Sequence, residues 1–222
     1  MKNLTLIIPA KSERESLPLV LKELKNYNCK KLIVLDKNDF ETINAIKNFK
    51  SIEILYQKTP GYGAALIEGI KKCKTKFFCI FNADGSFNPQ ELFEMYKNLD
   101  NYDFVFASRY QQNSGSEDDD FITKLGNFIF TKLGNFFFNL PITDILFTYV
   151  MGKKSCIKIL NLKKNDFSYC VELPIKAFRK KIKMISTSSY ERKRLAGKKK
   201  VKPFKDGLKI LLSMFELYFS KK

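Results

Sequence analysis

Asn82-Ala83-Asp84-Gly85-Ser86 directly follows an apolar run at residues 77–81 and sets an amide oxygen and a carboxylate two residues apart. Asp84 is a hard-oxygen ligand suited to Mg²⁺ or Mn²⁺, or else the aspartate of an Asp-Gly turn. Ser108-Arg109 ends a second apolar run, at 104–107. An unpaired guanidinium there would be costly, so Arg109 either faces a reaction centre or pairs with Asp144. Lys11-Ser12-Glu13, Asp36 and Lys58 likewise stand just beyond apolar runs. The chain has 222 residues and no histidine. Catalytic triads built on His, His-based zinc sites and imidazole bases are therefore excluded, leaving carboxylates, Lys, Arg, a metal or the backbone.

Short apolar runs alternating with amphipathic stretches position these groups. Residues 4–8 predict a strand stopped by Pro9. Ser12 and Glu15 read as a capping box for a helix over 13–26, with Leu17, Val20, Leu21 and Leu24 on one face. Further strands are expected at 31–35, 52–56, 77–81 and 104–107. Helices are expected at 40–49, 63–74 and, behind Pro89, 90–99. Uniformly apolar strands separated by helices mean an α/β chain with a mostly parallel sheet covered on both faces. Ligands of such sheets bind beyond the carboxyl ends of the strands, where the polar groups above fall.

Past Arg109 the pattern changes. Residues 111–120, ending in Glu117-Asp118-Asp119-Asp120, read as a mobile surface loop. An octapeptide then repeats in tandem, Thr123-Lys124-Leu125-Gly126-Asn127-Phe128-Ile129-Phe130 and Thr131-Lys132-Leu133-Gly134-Asn135-Phe136-Phe137-Phe138. Residues 121–140 predict a very apolar helix, either a surface for lipid or a partner or a helix buried in the chain's own core. Residues 208–219 form an amphipathic helix that lies at a bilayer interface or packs on the domain.

The formal charge is +17, and thirteen Lys and Arg against one acid fall between residues 176 and 205. A tract so basic seeks phosphate on a nucleic acid, an anionic leaflet or a phosphorylated substrate, or is a solvated face. The five cysteines are scattered and never spaced C-x-x-C, which predicts free thiols in a reducing cytosol. Met1-Lys2-Asn3 leads into only six residues ending at Pro9, so no secretory signal is expected. No run reaches the roughly 18 apolar residues of a spanning helix.

Several segments together are similar to family 2 glycosyltransferases. Ile7-Ile8-Pro9-Ala10-Lys11-Ser12-Glu13 resembles the I-P-A-x-N-E opening. Gly61-Tyr62-Gly63-Ala64-Ala65 through Gly69-Ile70 resembles G-x-G-x-A-x-x-x-G-I, and Asn82 to Pro89 resembles the D-A-D-G-x-x-x-P metal loop. Ala107-Ser108-Arg109-Tyr110, Ile142-Thr143-Asp144, Glu172-Leu173 and the stretch from Arg192 to Lys200 resemble later elements. The resemblance runs from Leu4 to about Leu211, and its nearest branch is the polyprenyl-phosphate (dolichol-phosphate) mannosyl- and glucosyltransferases.

The resemblance implies a GT-A type fold over residues 1–205, with 206–222 as an amphipathic extension. It implies a UDP- or GDP-sugar donor and Mg²⁺ or Mn²⁺ held by Asp84 with Asn82. Asp84 and Arg109 would be catalytic. Pro9, Ala10, Glu13, Asp36, Lys58, Gly63, Asn82, Ala83, Asp84 and Ser86 would line the donor, although Glu13 also suits a first helical turn, Lys58 a solvated position and Gly63 a tight turn. Arg192, Arg194 and Lys200 would contact the diphosphate and acceptor, and Lys124 a lipid phosphate. Asn82 replaces the first carboxylate of the metal loop, which should weaken metal binding.

The acceptor is expected to be a polyprenyl phosphate, already an anion and needing little base. The alternative is a glycan hydroxyl in surface polysaccharide synthesis, with Asp144 or Glu172 as base. The enzyme is expected in the cytoplasm, peripheral on the anionic inner face of the membrane. A nucleotidyltransferase would show a G-x-G-x-R opening after the first strand, which is missing. A basic nucleic-acid-binding protein is the rival of another class, but no helix-turn-helix, RRM or KH pattern appears, and no nucleic-acid partner is expected.

Overall fold

The computed structural model describes residues 1–220; Lys221 and Lys222, the end of the expected extension, lie outside the described residues. Nine strands and eight α-helices follow one another among the described residues. The first half holds β1 (Leu4–Pro9), α1 (Ser16–Glu23), β2 (Lys30–Leu35), α2 (Phe40–Ile46), β3 (Glu53–Tyr56), α3 (Tyr62–Lys72), β4 (Phe77–Ile80), α4 (Leu92–Asn98) and β5 (Phe104–Ser108). The second half holds β6 (Gly115–Ser116), α5 (Phe121–Phe138), β7 (Val150–Lys153), α6 (Lys154–Ile157), α7 (Tyr169–Arg179), β8 (Met184–Ser188), β9 (Tyr190–Glu191) and α8 (Pro203–Phe219).

Seven strands make one sheet in the order β3-β2-β1-β4-β7-β5-β8, and β6 pairs with β9 beside it. All neighbours in the large sheet are parallel except β7, which runs antiparallel to both β4 and β5. The central strands are buried on both faces, as their uniform apolarity predicts. Alternate residues feed opposite layers: Ile7 joins Leu66, Tyr169 and Met214 in one core, while Leu6 and Ile8 join Leu17, Val20 and Met95 in the other.

The expected capping box at Ser12 is not formed. Ser12 sits in the left-handed region at φ 53° and gives its N–H to Asp39 Oδ2 at 2.7 Å. The helix begins instead at Ser16, whose hydroxyl donates to Glu13 Oε2 at 2.5 Å. The turn this creates turns Glu13 inward at the carboxyl end of β1.

α5 is amphipathic in reverse. Its buried strip is Asn127, Thr131, Gly134 and Phe138. The polar members are satisfied: Asn127 Nδ2 donates to Asp119 Oδ2 at 2.9 Å and Thr131 Oγ1 accepts from the Ile145 N–H at 3.2 Å. Phe121, Ile122, Leu125, Phe128, Ile129 and Phe136 face solvent. At about 100° per residue these six fall within an arc of about 120° on the side opposite the buried strip. α8 packs on α5 and α7 through Ile210, Met214 and Leu217 and carries a second outward stripe of Phe204, Leu208, Leu212, Phe215 and Phe219. Of the two readings of residues 121–140, the exposed surface is the one observed. No helix among the described residues is long and apolar enough to cross a membrane.

Candidate active site

The loop after β4 is built around Asp84. Its Oδ1 accepts from the Ser86 N–H at 3.1 Å and the Ser86 hydroxyl at 2.8 Å, an Asx turn that fixes the carboxylate. Gly85 follows at φ +82°, where a side chain would be strained. A Cβ at Gly85 would also lie 2.5 Å from Leu195 Cδ1, so the glycine admits a second segment against the loop.

That segment is the strap of residues 192–200 that follows β9. The Arg192 N–H donates to Ser86 O and the Leu195 N–H to Asp84 O, both at 2.8 Å. The basic residues of the strap thereby reach three elements. Arg194 forks onto Asp118 (Nε–Oδ1 3.1 Å, Nη2–Oδ2 2.7 Å) and points Nη1 at Asp84 Oδ2, 3.5 Å away. Lys199 lies 3.8 Å from Asp118, and Lys200 Nζ donates to Glu13 Oε1 at 2.9 Å. Burial alone would lower the Arg194 pKa, but Asp118 and Asp84 raise it above its ordinary value. Burial likewise works to raise the Asp118 pKa, and Arg194 and Lys199 overcome it, leaving the carboxyl below its ordinary value. A cavity of about 270 Å³ opens beside the strap between Ser12, Glu13, Ser16, Glu41 and Gly197.

The remaining expected donor residues lie at this same end of the sheet. The Ala10 N–H extends the ladder to Val34 O at 2.9 Å, directly after Pro9. Asp36 and Lys58 stand exposed beyond β2 and β3. Asn82 Oδ1 accepts from the Tyr62 hydroxyl at 3.4 Å, and Ala83 is buried between Asn82 and Asp84.

Of the two places expected for Arg109, the structure shows the pairing with Asp144. Arg109 is buried, paired with Asp144 (Nε–Oδ2 2.8 Å, Nη2–Oδ1 3.1 Å), Asp119 (2.9 Å) and Glu191 (3.0 Å), and its guanidinium lies 4.4 Å from the Phe147 ring centroid. Burial alone would lower its pKa, and the carboxylates, Asp144 foremost, hold it above its ordinary range. Residues 111–120 are not a free loop, because Asp118 and Asp119 turn in to Arg194 and Arg109 and β6 pairs with β9. Arg192 is spent on the Glu23 carboxylate (2.6 and 3.0 Å) and on Gly85 O and Phe87 O, so it clamps the metal loop from beneath.

Gly63 serves packing: a Cβ there would lie 2.2 Å from Lys164 O and 2.7 Å from Asp166 O. Neither Asp144 nor Glu172 is free to act as a base. Asp144 is fully buried against Arg109, and Glu172 accepts from the N–H groups of Lys163 and Lys164 and from Lys176 Nζ at 2.6 Å. Lys124 is exposed on the first turn of α5, beside the outward phenylalanines. The sequence reading gave no site role to Asp118, within the acidic run 117–120, or to Glu23, the carboxylates that aim Arg194 and Arg192; Glu23 carries no local signal.

For a metal, Asp84 offers Oδ2, which has no hydrogen bond and one long contact to Arg194, with the Asn82 amide on the same loop. The described residues contain no group of three or more His, Cys, Asp or Glu poised for a cation. Such a donor set fits a hard ion that takes its other ligands from a bound diphosphate and water.

The model of glycosyl transferase family 2 matches residues 5–160. An uncharacterised glycosyltransferase of Mycobacterium tuberculosis is 23% identical over 198 residues, covering 89% of this chain and 88% of the relative. An uncharacterised protein of Methanocaldococcus jannaschii is 26% identical over 128 residues, covering 55% of this chain and 53% of its own. Among solved structures, glucosyl-3-phosphoglycerate synthase of Mycobacterium tuberculosis in complex with UDP superposes with a TM-score of 0.75 at 10% identity, covering 99% of this chain and 81% of that one. The same enzyme with Mn²⁺, UDP-glucose and phosphoglyceric acid gives 0.73 at 11% identity, covering 99% and 80%. The likeness extends the expected GT-A type fold over nearly the whole chain.

Proposed function

Because the chain belongs to glycosyl transferase family 2, we propose that this glycosyltransferase moves a hexose, with inversion, from a UDP- or GDP-linked donor to a polyprenyl phosphate at an anionic membrane surface. The observation that carries the acceptor class is the state of the carboxylates around the strap. Asp84, Asp118, Asp119, Asp144 and Glu13 each face a cation. A sugar hydroxyl would need a free carboxylate as base, whereas a phosphate arrives already ionised. The cations of the strap suit a site where two phosphates meet.

In this reading Asp36 and the backbone at Pro9 and Ala10 hold the nucleoside, with Glu13 and Lys58 at its border. Asp84, oriented by Ser86, and Asn82 would hold Mg²⁺ or Mn²⁺. The metal supplies charge neutralisation to the departing diphosphate. Arg194 and Lys200 bind the phosphates, while Arg192 and Arg109 keep the loop and its surroundings in place. Residues 1–205 carry the chemistry. α8, together with α5, lays its apolar stripe on the cytoplasmic leaflet, with Lys124 next to the lipid phosphate.

A second reading draws on the solved enzyme that binds phosphoglyceric acid: the same cations could take a small phosphorylated acceptor. Incubation with UDP-glucose or GDP-mannose and Mn²⁺ should label polyprenyl phosphate in vesicles, and Asp84→Ala should abolish the labelling. Label found only on phosphoglyceric acid or on a glycan hydroxyl would refute the lipid acceptor.

A further inference from the structure

Asn82 and Arg194 change the electrostatics of the metal loop together. With an amide at position 82, Asp84 is the loop's one carboxylate, and Arg194 Nη1 lies 3.5 Å from its free oxygen. The guanidinium is not a passing contact. Its Nε and Nη2 are forked onto Asp118, and the backbone on its C-terminal side is fastened to the loop by the Leu195 N–H to Asp84 O bond. On the other side, Arg192 is bonded to Ser86 O, Gly85 O and Phe87 O. A fixed guanidinium therefore stands against the carboxylate at which a divalent ion would arrive. Arginine stays ionised in proteins, and Nη1, which Asp118 does not take, is left to donate to a phosphate oxygen.

We propose that Arg194 is a built-in cation of the donor site, aimed by Asp118 as its positioning residue: it lets a nucleoside diphosphate bind without a divalent ion and competes with that ion for Asp84. The inference deepens the donor reading above and rests on it. Two consequences are opposite in sign. Removing Arg194 should weaken metal-free binding of nucleoside diphosphate, and it should strengthen binding of the metal alone, since Asp84 loses its internal counter-ion.

The test is calorimetric binding of UDP and GDP in EDTA and in Mn²⁺, with Mn²⁺ alone followed by electron paramagnetic resonance. Wild type, Arg194→Gln and Arg194→Lys are compared, with thermal melts confirming that each is folded. Wild type should bind one diphosphate in EDTA. Arg194→Gln should lose about tenfold or more of that affinity, the scale of one charge-assisted contact. It should recover the affinity in Mn²⁺ and bind Mn²⁺ alone more tightly than wild type. Arg194→Lys, which keeps the charge without the fork, should fall between.

Equal metal-free binding by wild type and Arg194→Gln overturns the proposal, as does unchanged Mn²⁺ affinity. Wild type that binds a diphosphate only with Mn²⁺ also overturns it while leaving the donor reading intact. Wild type that binds neither diphosphate under any condition overturns both.

Discussion

Phe121 and Phe136 lie on the outward arc of α5 and are each 79% exposed. A phenylalanine offers on the order of 200 Å² to burial, so roughly 160 Å² of each stays in water. At about 25 cal/mol per Å², full transfer to an apolar medium is worth about 4 kcal/mol per residue. A helix lying at a bilayer interface inserts its stripe partway. Half of the transfer term gives about 2 kcal/mol each, and loss of both rings costs about 4 kcal/mol, or close to a thousandfold in partition. The double variant Phe121→Gln, Phe136→Gln should therefore remain in the supernatant when wild type sediments with vesicles containing anionic phospholipid. Its melting temperature should stay put, because exposed positions contribute little to folding. Wild type should also bind less at high salt and to neutral vesicles, since the lysines contribute through the surface potential. A wild type that never sediments, or a double variant that sediments as well as wild type, would refute the reasoning. A wild-type dimer that dissociates in the double variant would assign the stripe to a second copy instead.

The Arg109 cluster gives two further predictions. Burial pushes the carboxyls of Asp119 and Glu191 above their ordinary values despite Arg109. A carboxyl raised in the folded state binds protons more tightly there than in the unfolded chain, so its contribution to stability is present at low pH and is lost as pH rises through its folded pKa. Glu191→Gln keeps an oxygen for Arg109 and Ser116 while removing one of three negative charges around a single guanidinium. It should raise the melting temperature at neutral pH, and the gain should vanish in acid; calorimetric scans across pH check both. Arg109→Ala should cost about 3–5 kcal/mol by stranding buried carboxylates, lowering the melting point by about 10 °C. Nucleotide affinity measured below that melting point should hold, whereas a residue in contact with substrate would show the reverse pattern.

The parallel half of the sheet was legible because strands buried on both faces must be largely apolar, and β1, β2, β4 and β5 are, with Thr5, Lys30, Lys31 and Ser108 their polar exceptions. β7 and β8 were not. Val150-Met151-Gly152-Lys153 is four residues with a glycine, required because a Cβ would lie 2.2 Å from the Phe104 ring. Met184-Ile185-Ser186-Thr187-Ser188 is an edge strand whose hydroxyls hide its period. Asp84 could be placed because its turn is local, closed by Ser86 two residues on. The cations were harder, since residue type says nothing of which carboxylate will claim them. Arg192 meets Glu23 across 169 positions and Arg109 meets Glu191 across 82, separations at which sequence pattern carries no information. The reversed α5 was ambiguous for a different reason. Its repeat is apolar enough for a core, and only the small and amide side chains at 127, 131 and 134 decide which side turns inward.

The placement of β7 has a consequence for how the protein is made. β4 and β5 do not pair, since each has β7 as its neighbour on that side. The strands β3-β2-β1-β4 come from one unbroken stretch and can pair as they emerge from the ribosome. β5, synthesised next, finds no partner until residues 150–153 arrive and run backwards between the two. During that interval the inner edge of β4 is an open row of amides and carbonyls flanked by phenylalanines, the kind of edge on which a second nascent chain could dock. A chain interrupted before Val150 would keep that edge permanently, which makes the short, plain strand in the middle of the sheet its safeguard against aggregation.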